Sequence, residues 1–143
     1  MPDEGQSTEA AIRERLASSP FHAWMGIDVD RAGDGEIDLT MHATADHLNL
    51  HGTVHGGALA TLADTAAGLA VRTQLEPGRS HVTVSLTVQY LRPCAPGRLV
   101  GRGRVLRMGR TLAHATADVV DGEGRLLVTA SATIALGGET RST

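Results

Sequence analysis

One segment, His47 to Leu69 (HLNLHGTVHGGALATLADTAAGL), constrains the fold more than any other. A polar loop over 44–54 runs into a Gly-Gly pair and then into a long apolar helix pattern from about 55 to 75, which Pro77-Gly78 ends. Beyond it the chain alternates like β-strand. Residues 81–91, 98–108, 111–121 and 125–136 read as strands, with Pro93, Pro96-Gly97, Gly109 and the turn Asp121-Gly122-Glu123-Gly124 between them. Residues 26–32 and 35–43 alternate on either side of Gly33-Asp34, as in a hairpin. An apolar helix must bury its face, and so many strands offer a sheet to bury it on. The order predicts an α+β fold, one antiparallel β-sheet wrapped around one long central α-helix.

The remaining elements are short. Residues 7–19 read as an amphipathic helix capped by Ser7 or Thr8, with Ala11, Ile12 and Leu16 on its apolar side and Pro20 as its stop. Residues 21–25 read as a helical turn that packs Phe21 and Trp24 against the core. In 81–91, strict alternation puts Val82, Val84, Leu86, Val88 and Tyr90 on one face and Thr83, Ser85, Thr87 and Gln89 on the other. The expected organisation is an N-terminal helical extension over 1–19, one domain over 20–137 and a disordered tail over 138–143.

Composition narrows the function. With 143 residues and 41% hydrophobic content, one domain with a real core is expected. Only three residues are aromatic (Phe21, Trp24 and Tyr90), too few for a nucleic-acid stacking platform. A formal charge of -3 gives no general attraction to nucleic acid or anionic membrane. One cysteine, Cys94, excludes an internal disulfide and a cysteine metal cluster. The seven histidines include 47, 51 and 55 at helical ligand spacing, but Gly52 interrupts them and no zinc motif surrounds them. The acidic, polar N-terminus is unlike a signal peptide, and the apolar helix is broken by Thr61, Asp64 and Thr65. The expectation is a cytoplasmic protein with no cofactor, no metal, no nucleic-acid partner and no membrane partner.

The chemistry concentrates on the long helix. Its start offers unpaired N–H groups and the positive end of the dipole, which suits a developing oxyanion. Gly56 and Gly57 carry no side chain, so a carbonyl can approach the backbone. In a 100° helical projection, Leu59, Leu62, Ala66, Leu69 and Ala70 face the sheet, while Thr61, Thr65, Gly68 and Arg72 form a polar stripe. Asp64 lies between: it either joins that polar stripe or, beside Gly57, Ala60, Ala67 and Val71, interrupts a small apolar face that reads as a surface for a second chain. Gly57 and Asp64 are seven residues apart, about 10 Å along the axis, so one carbonyl cannot touch both. An antiparallel second copy of the helix could supply the missing carboxylate. That geometry predicts a homodimer with shared active sites.

Asn49, Gly52, His55-Gly56-Gly57 and Leu62-Ala63-Asp64 together resemble the motif of the hotdog-fold thioesterases, specifically the PaaI-like acyl-CoA thioesterase branch. VSLTVQYLRP (84–93) and GRTLAHATADVVDGEGRLLVTASA (109–132) are similar to that family's later strands, so the resemblance spans roughly 20–136. It implies hydrolysis of an acyl-CoA to free acid and CoA. Asp64 takes the place of the general base or nucleophile, Gly56 that of the oxyanion donor, and Asn49 that of the residue that orients water or thioester. His55, Gly57 and Thr83 border the substrate, with His55 mainly fixing the loop. The strand pattern alone reads Thr83 as an ordinary solvated residue.

The resemblance also implies strand pairing between subunits and a homotetramer built of two dimers. Arginines 92, 98, 102, 104, 107 and 110 crowd one region; most read as a solvated strand face, and Gly109-Arg110-Thr111 is the turn expected to contact the substrate, where arginine suits the phosphates of CoA. Two other readings compete. A non-catalytic acyl-CoA sensor of this fold usually lacks the helix carboxylate and carries a DNA-binding domain. An enoyl-CoA hydratase pairs Asp and His as Asp46 and His51 are spaced, but its surrounding pattern is absent. Thioesters of acyl-carrier protein are a further substrate class for such a site.

Overall fold

The computed structural model describes residues 4–138. Two short helices, α1 (Glu4–Ala17) and α2 (Pro20–Met25), precede a hairpin of β1 (Ile27–Gly33) and β2 (Glu36–Ala43). A short 3-10 turn (Ala45–His47) and a loop lead into the long helix α3 (Gly56–Arg72). Strands β3 (His81–Tyr90), β4 (Gly97–Met108), β5 (Leu112–Val120) and β6 (Leu126–Leu136) complete the chain. All six strands form one antiparallel sheet in the order β1-β2-β4-β5-β6-β3. The expected α+β hotdog arrangement is observed, with α3 packed across one face of the sheet. Most of the expected tail, from residue 139 on, lies outside the described residues.

Small side chains let helix and sheet approach closely. Leu62, Ala63, Ala66 and Ala70 of α3 are fully buried against Ala113, Ala115 and Ala117 of β5 and against β4. Two glycines in β4 set the distance. A Cβ on Gly101 would fall 2.8 Å from Leu62 Cγ, and one on Gly103 would collide with the Ala66 carbonyl oxygen. The first obstacle is a side-chain branch; the second is backbone and cannot rotate away. Gly103→Ala should therefore cost about 3 kcal/mol, the upper end of overpacking. A urea midpoint equal to wild type would contradict this close approach.

Several expectations are corrected. The helix ends at Arg72, with Thr73 as its cap, three residues short of the pattern. Ser7 and Thr8 lie inside α1 rather than capping it, and Ala11 is exposed while Ile12 and Leu16 are buried. Phe21 and Trp24 do not enter the core; they are 54% and 56% exposed, and Met25 is buried in their place. Ala67, Gly68 and Val71 are already buried within the chain, so they do not offer a free face to a second copy. Leu69, expected against the sheet, is only half-buried.

The largest correction concerns β3. Thr83 pairs with Ile134 and Ser85 with Thr133, so Val84 is an extra residue in the ladder. This bulge reverses the alternation. His81 and Thr83 are partly covered on the inner side, whereas Val82 and Val84 are 62% and 59% exposed. After the bulge Leu86 and Val88 turn inward, as the alternation places them. β3 is also an edge strand, with no neighbour on its outer side among the described residues.

Candidate active site

The loop before α3 is built around Asn49. Its side-chain oxygen accepts from the N–H groups of His51 (2.8 Å) and Thr53 (3.1 Å), and its amide nitrogen donates to Thr53 Oγ1 (2.9 Å). This is an Asx-type turn, closed by a Leu48–Val54 bridge and by Gly52 at φ +83°. The Val54 N–H donates to the Cys94 carbonyl and the His55 N–H to the His47 carbonyl, which fixes where the helix begins. His47 is buried with both ring nitrogens engaged, one accepting from the Thr44 N–H and the other on the Trp24 carbonyl.

At the helix start the two glycines separate. His55 Nδ1 accepts from the Gly57 N–H at 2.8 Å, so Gly57 is capped by its own chain. The Ala58 and Leu59 N–H groups donate to the His55 carbonyl. The Gly56 N–H makes no hydrogen bond among the described residues. Its carbonyl accepts from the Tyr90 hydroxyl at 2.8 Å, and a Cβ on Gly56 would lie 3.2–3.4 Å from the Tyr90 ring. Tyr90 borders the candidate site, and sequence reasoning missed it. A lone tyrosine at the end of the strand after the helix was the signal available.

Two turns on, Thr83 Oγ1 donates to Asp64 Oδ1 at 2.8 Å. The bulge at Val84 makes this possible, because it turns Thr83 toward the helix, and so Thr83 is not a solvated strand residue. Asp64 is half-buried, and its second oxygen has no hydrogen-bond partner among the described residues. Asp64 and Thr83 line one groove of about 360 Å³, together with Leu16, His22, Gly68 and His81. Within one chain the structure joins Asp64 to Thr83, and Gly56 to His55, Gly57 and Tyr90. It does not join these two groups: eight residues separate Gly56 from Asp64, about 12 Å of helix.

The Gly109-Arg110-Thr111 turn is elsewhere. It closes β4 to β5 beside the β6 end, where the Thr111 carbonyl accepts from Leu136 and the Arg110 carbonyl from Arg79. Asp46 and His51 are exposed on the loop, with no bond between their side chains among those described.

Burial is the main cause that holds the His81 imidazole below its ordinary pKa; Arg72 and Arg15 add to this, and Asp64 opposes it. His22 is lowered by burial too. An unfolded imidazole titrates near about 6.5 and so binds protons that the folded one rejects. The resulting stability is complete above that pH and is lost as pH falls through the folded values. The melting temperature should drop between roughly pH 7 and 5, and His81→Gln should flatten that drop. An unchanged slope in the variant would remove His81 from the account.

Residues 51–128 match the family model of the thioesterase superfamily. A Halobacterium salinarum protein that carries a provisional esterase name is 43% identical over 122 residues, 82% of this chain and 80% of that protein. Human acyl-coenzyme A thioesterase 13 is 30% identical over 118 residues, 81% of this chain and 84% of that protein. Among solved structures, the E. coli PaaI protein from the phenylacetic acid degradation operon superposes with a TM-score of 0.88 at 25% identity, covering 96% of this chain and 99% of its own.

Proposed function

This chain belongs to the thioesterase superfamily and is a thioester hydrolase, and from that premise we propose that it cleaves acyl-CoA thioesters with Asp64 as general base or nucleophile. One observation carries the assignment: Asp64 is a partly buried carboxylate in a groove, with one oxygen held by Thr83 and the other without a hydrogen bond among the described residues. The open oxygen takes a proton from water as the water attacks the thioester carbonyl, or attacks that carbonyl itself. Negative charge then gathers on the carbonyl oxygen, and the unpaired Gly56 N–H is the donor for it. The thiolate leaves readily, so no strong general acid is required. Asn49 aims this N–H by ordering the loop, and its second amide hydrogen remains available to the thioester. His55 and Gly57 act as the cap that orients the first turn.

The 12 Å between Gly56 and Asp64 makes each site the joint property of two chains. The surface that supports such a dimer is the open edge of β3, with Val82, Val84, Tyr90 and Leu91 all more than half exposed. Two dimers make the tetramer. Gly109, Arg110 and Thr111 are then the part of the second subunit offered to CoA. Among the described residues no helix is long and apolar enough to cross a membrane.

The test is a hydrolysis screen over aryl-, short- and long-chain acyl-CoA esters, following free thiol, on protein whose mass is measured by light scattering. Thiol release by an assembled oligomer is expected. Tight acyl-CoA binding without release would make the protein a sensor, and activity in a monomer would remove the shared site.

A further inference from the structure

A larger cavity of about 570 Å³ adjoins the Asp64 groove between α1, the end of α3 and the start of β3. Ile12, Arg15 and His81 line both parts. The walls between are apolar: Ile12, Leu16 and Leu69 near Asp64, Leu75 and Pro77 farther on. The far end is different. Arg72 and Arg79 line it, Arg15 stands where the two parts meet, and among the described residues no acidic side chain lines that cavity.

None of these three guanidiniums has a carboxylate partner among the described residues. Arg72 donates to the carbonyls of Arg79 and Glu76. Arg79 donates to the carbonyls of Gly137 (2.9 Å) and Arg110 (3.3 Å). Neutral carbonyls fix these two cations in place without cancelling their charge. The Arg15 side chain makes no hydrogen bond or ion pair among the described residues. The charges also strain one another: burial first, then Arg15 and Arg79, make Arg72 harder to keep protonated. Arg72 and Arg79 are partly buried and Arg15 is exposed beside them; like charges gathered at the end of an apolar channel favour an anion that completes them.

We propose that this groove holds the acyl group and selects acyl chains that carry a carboxylate at the end remote from the thioester. The proposal rests on Asp64 as the catalytic carboxylate. From Asp64 to Arg72 is eight residues, about 12 Å along the helix. An acyl chain of medium length spans that distance with its methylenes on Ile12, Leu69 and Leu75. Its carboxylate then meets guanidiniums, whose paired N–H groups match a carboxylate's two oxygens.

Chain-matched pairs test it. Octanoyl-CoA and the mono-CoA thioester of octanedioic acid differ only in the terminal carboxylate. Wild type should favour the carboxylated ester in kcat/KM by about tenfold or more, the scale of a charge-assisted hydrogen bond. Arg15→Gln should lower that ratio by about tenfold. A wild-type preference for octanoyl-CoA, or an unchanged ratio in the variant, overturns the proposal. An equal loss on both esters also overturns it, and assigns the arginines to the phosphates of CoA. Titration calorimetry with free octanedioate and octanoate gives an answer independent of turnover. Octanedioate should bind wild type more tightly than octanoate and lose that advantage in Arg15→Gln; equal binding of the two acids sinks the selectivity even if thioesters are cleaved. No hydrolysis of any ester beside selective octanedioate binding would instead sink Asp64 as a catalyst and leave the anion subsite standing.

Discussion

Asp64→Asn should reduce turnover by at least about a hundredfold, the usual scale for losing a general base, while leaving the fold intact. The amide keeps the shape of the carboxylate and retains an oxygen to accept from Thr83, so the 2.8 Å contact survives. What disappears is the basic, nucleophilic open oxygen. Asp64→Ala removes both and should lose at least as much activity. Neither change opens the core, because Asp64 lies partly exposed on the groove. Melting temperatures within a few degrees of wild type are therefore expected. Initial rates of thiol release on the best ester, beside thermal melts, decide it. An asparagine variant that works at near wild-type rate would mean that Asp64 only positions Thr83.

Gly56→Pro should cost about 3 kcal/mol in the barrier, roughly a hundredfold or more in turnover, by deleting a single hydrogen-bond donor. Proline is tolerated at the first helical position, where the N–H has no helical partner. His55 before it is already extended, at φ -59° and ψ 134°, as a residue preceding proline must be. The ring would press on Tyr90, which lies 3.2 Å from the added Cβ. Gly56→Ala controls for this, since it adds the same carbon and keeps the N–H. Alanine should retain much of the activity that proline loses; equal loss in both would trace the effect to Tyr90 displacement.

The same variants test the sharing of sites. In a dimer of one Asp64→Ala chain and one Gly56→Pro chain, one site keeps both native groups and the other keeps neither. About half the wild-type activity should return, as the two-fold arrangement requires. Assembled heterodimers without recovery would return both groups to one chain's own site.

The legible part of the candidate site was the part written locally. Asp64 stands out as the one acid on an apolar, alanine-rich helix, although periodicity alone would also let it join the polar stripe of Thr61, Thr65 and Arg72. The Gly-Gly pair stands out because two glycines before such a helix bare its first N–H groups. Which glycine stays bare was not legible. It depends on the rotamer of His55, which caps Gly57 and leaves Gly56. Asn49 reads as a substrate contact, yet its observed bonds all lie within its loop. The face beside Asp64 reads as a docking surface, but Ala67, Gly68 and Val71 are covered by the chain itself. A helical projection records which residues share a side, not what lies over them.

The sequence by itself determined the elements, their order and the fold class, because helical and strand periodicities are properties of neighbouring residues and turns arise from Gly, Pro and Asp. The pairings across the sheet were left to the tertiary structure. The bulge at Val84 is the plainest case. Nothing in HVTVSLTVQY marks an extra residue, since a bulge exists only relative to the partner strand, here where β3 meets Thr133 of β6. That one residue decides that Thr83 reaches Asp64 while Val82 and Val84 face outward. Tyr90 on Gly56, and the arginines of α1 and α3 around one cavity, are contacts of the same kind. They join residues far apart in the chain, whose meeting depends on how helix and sheet pack and not on any pattern along either one.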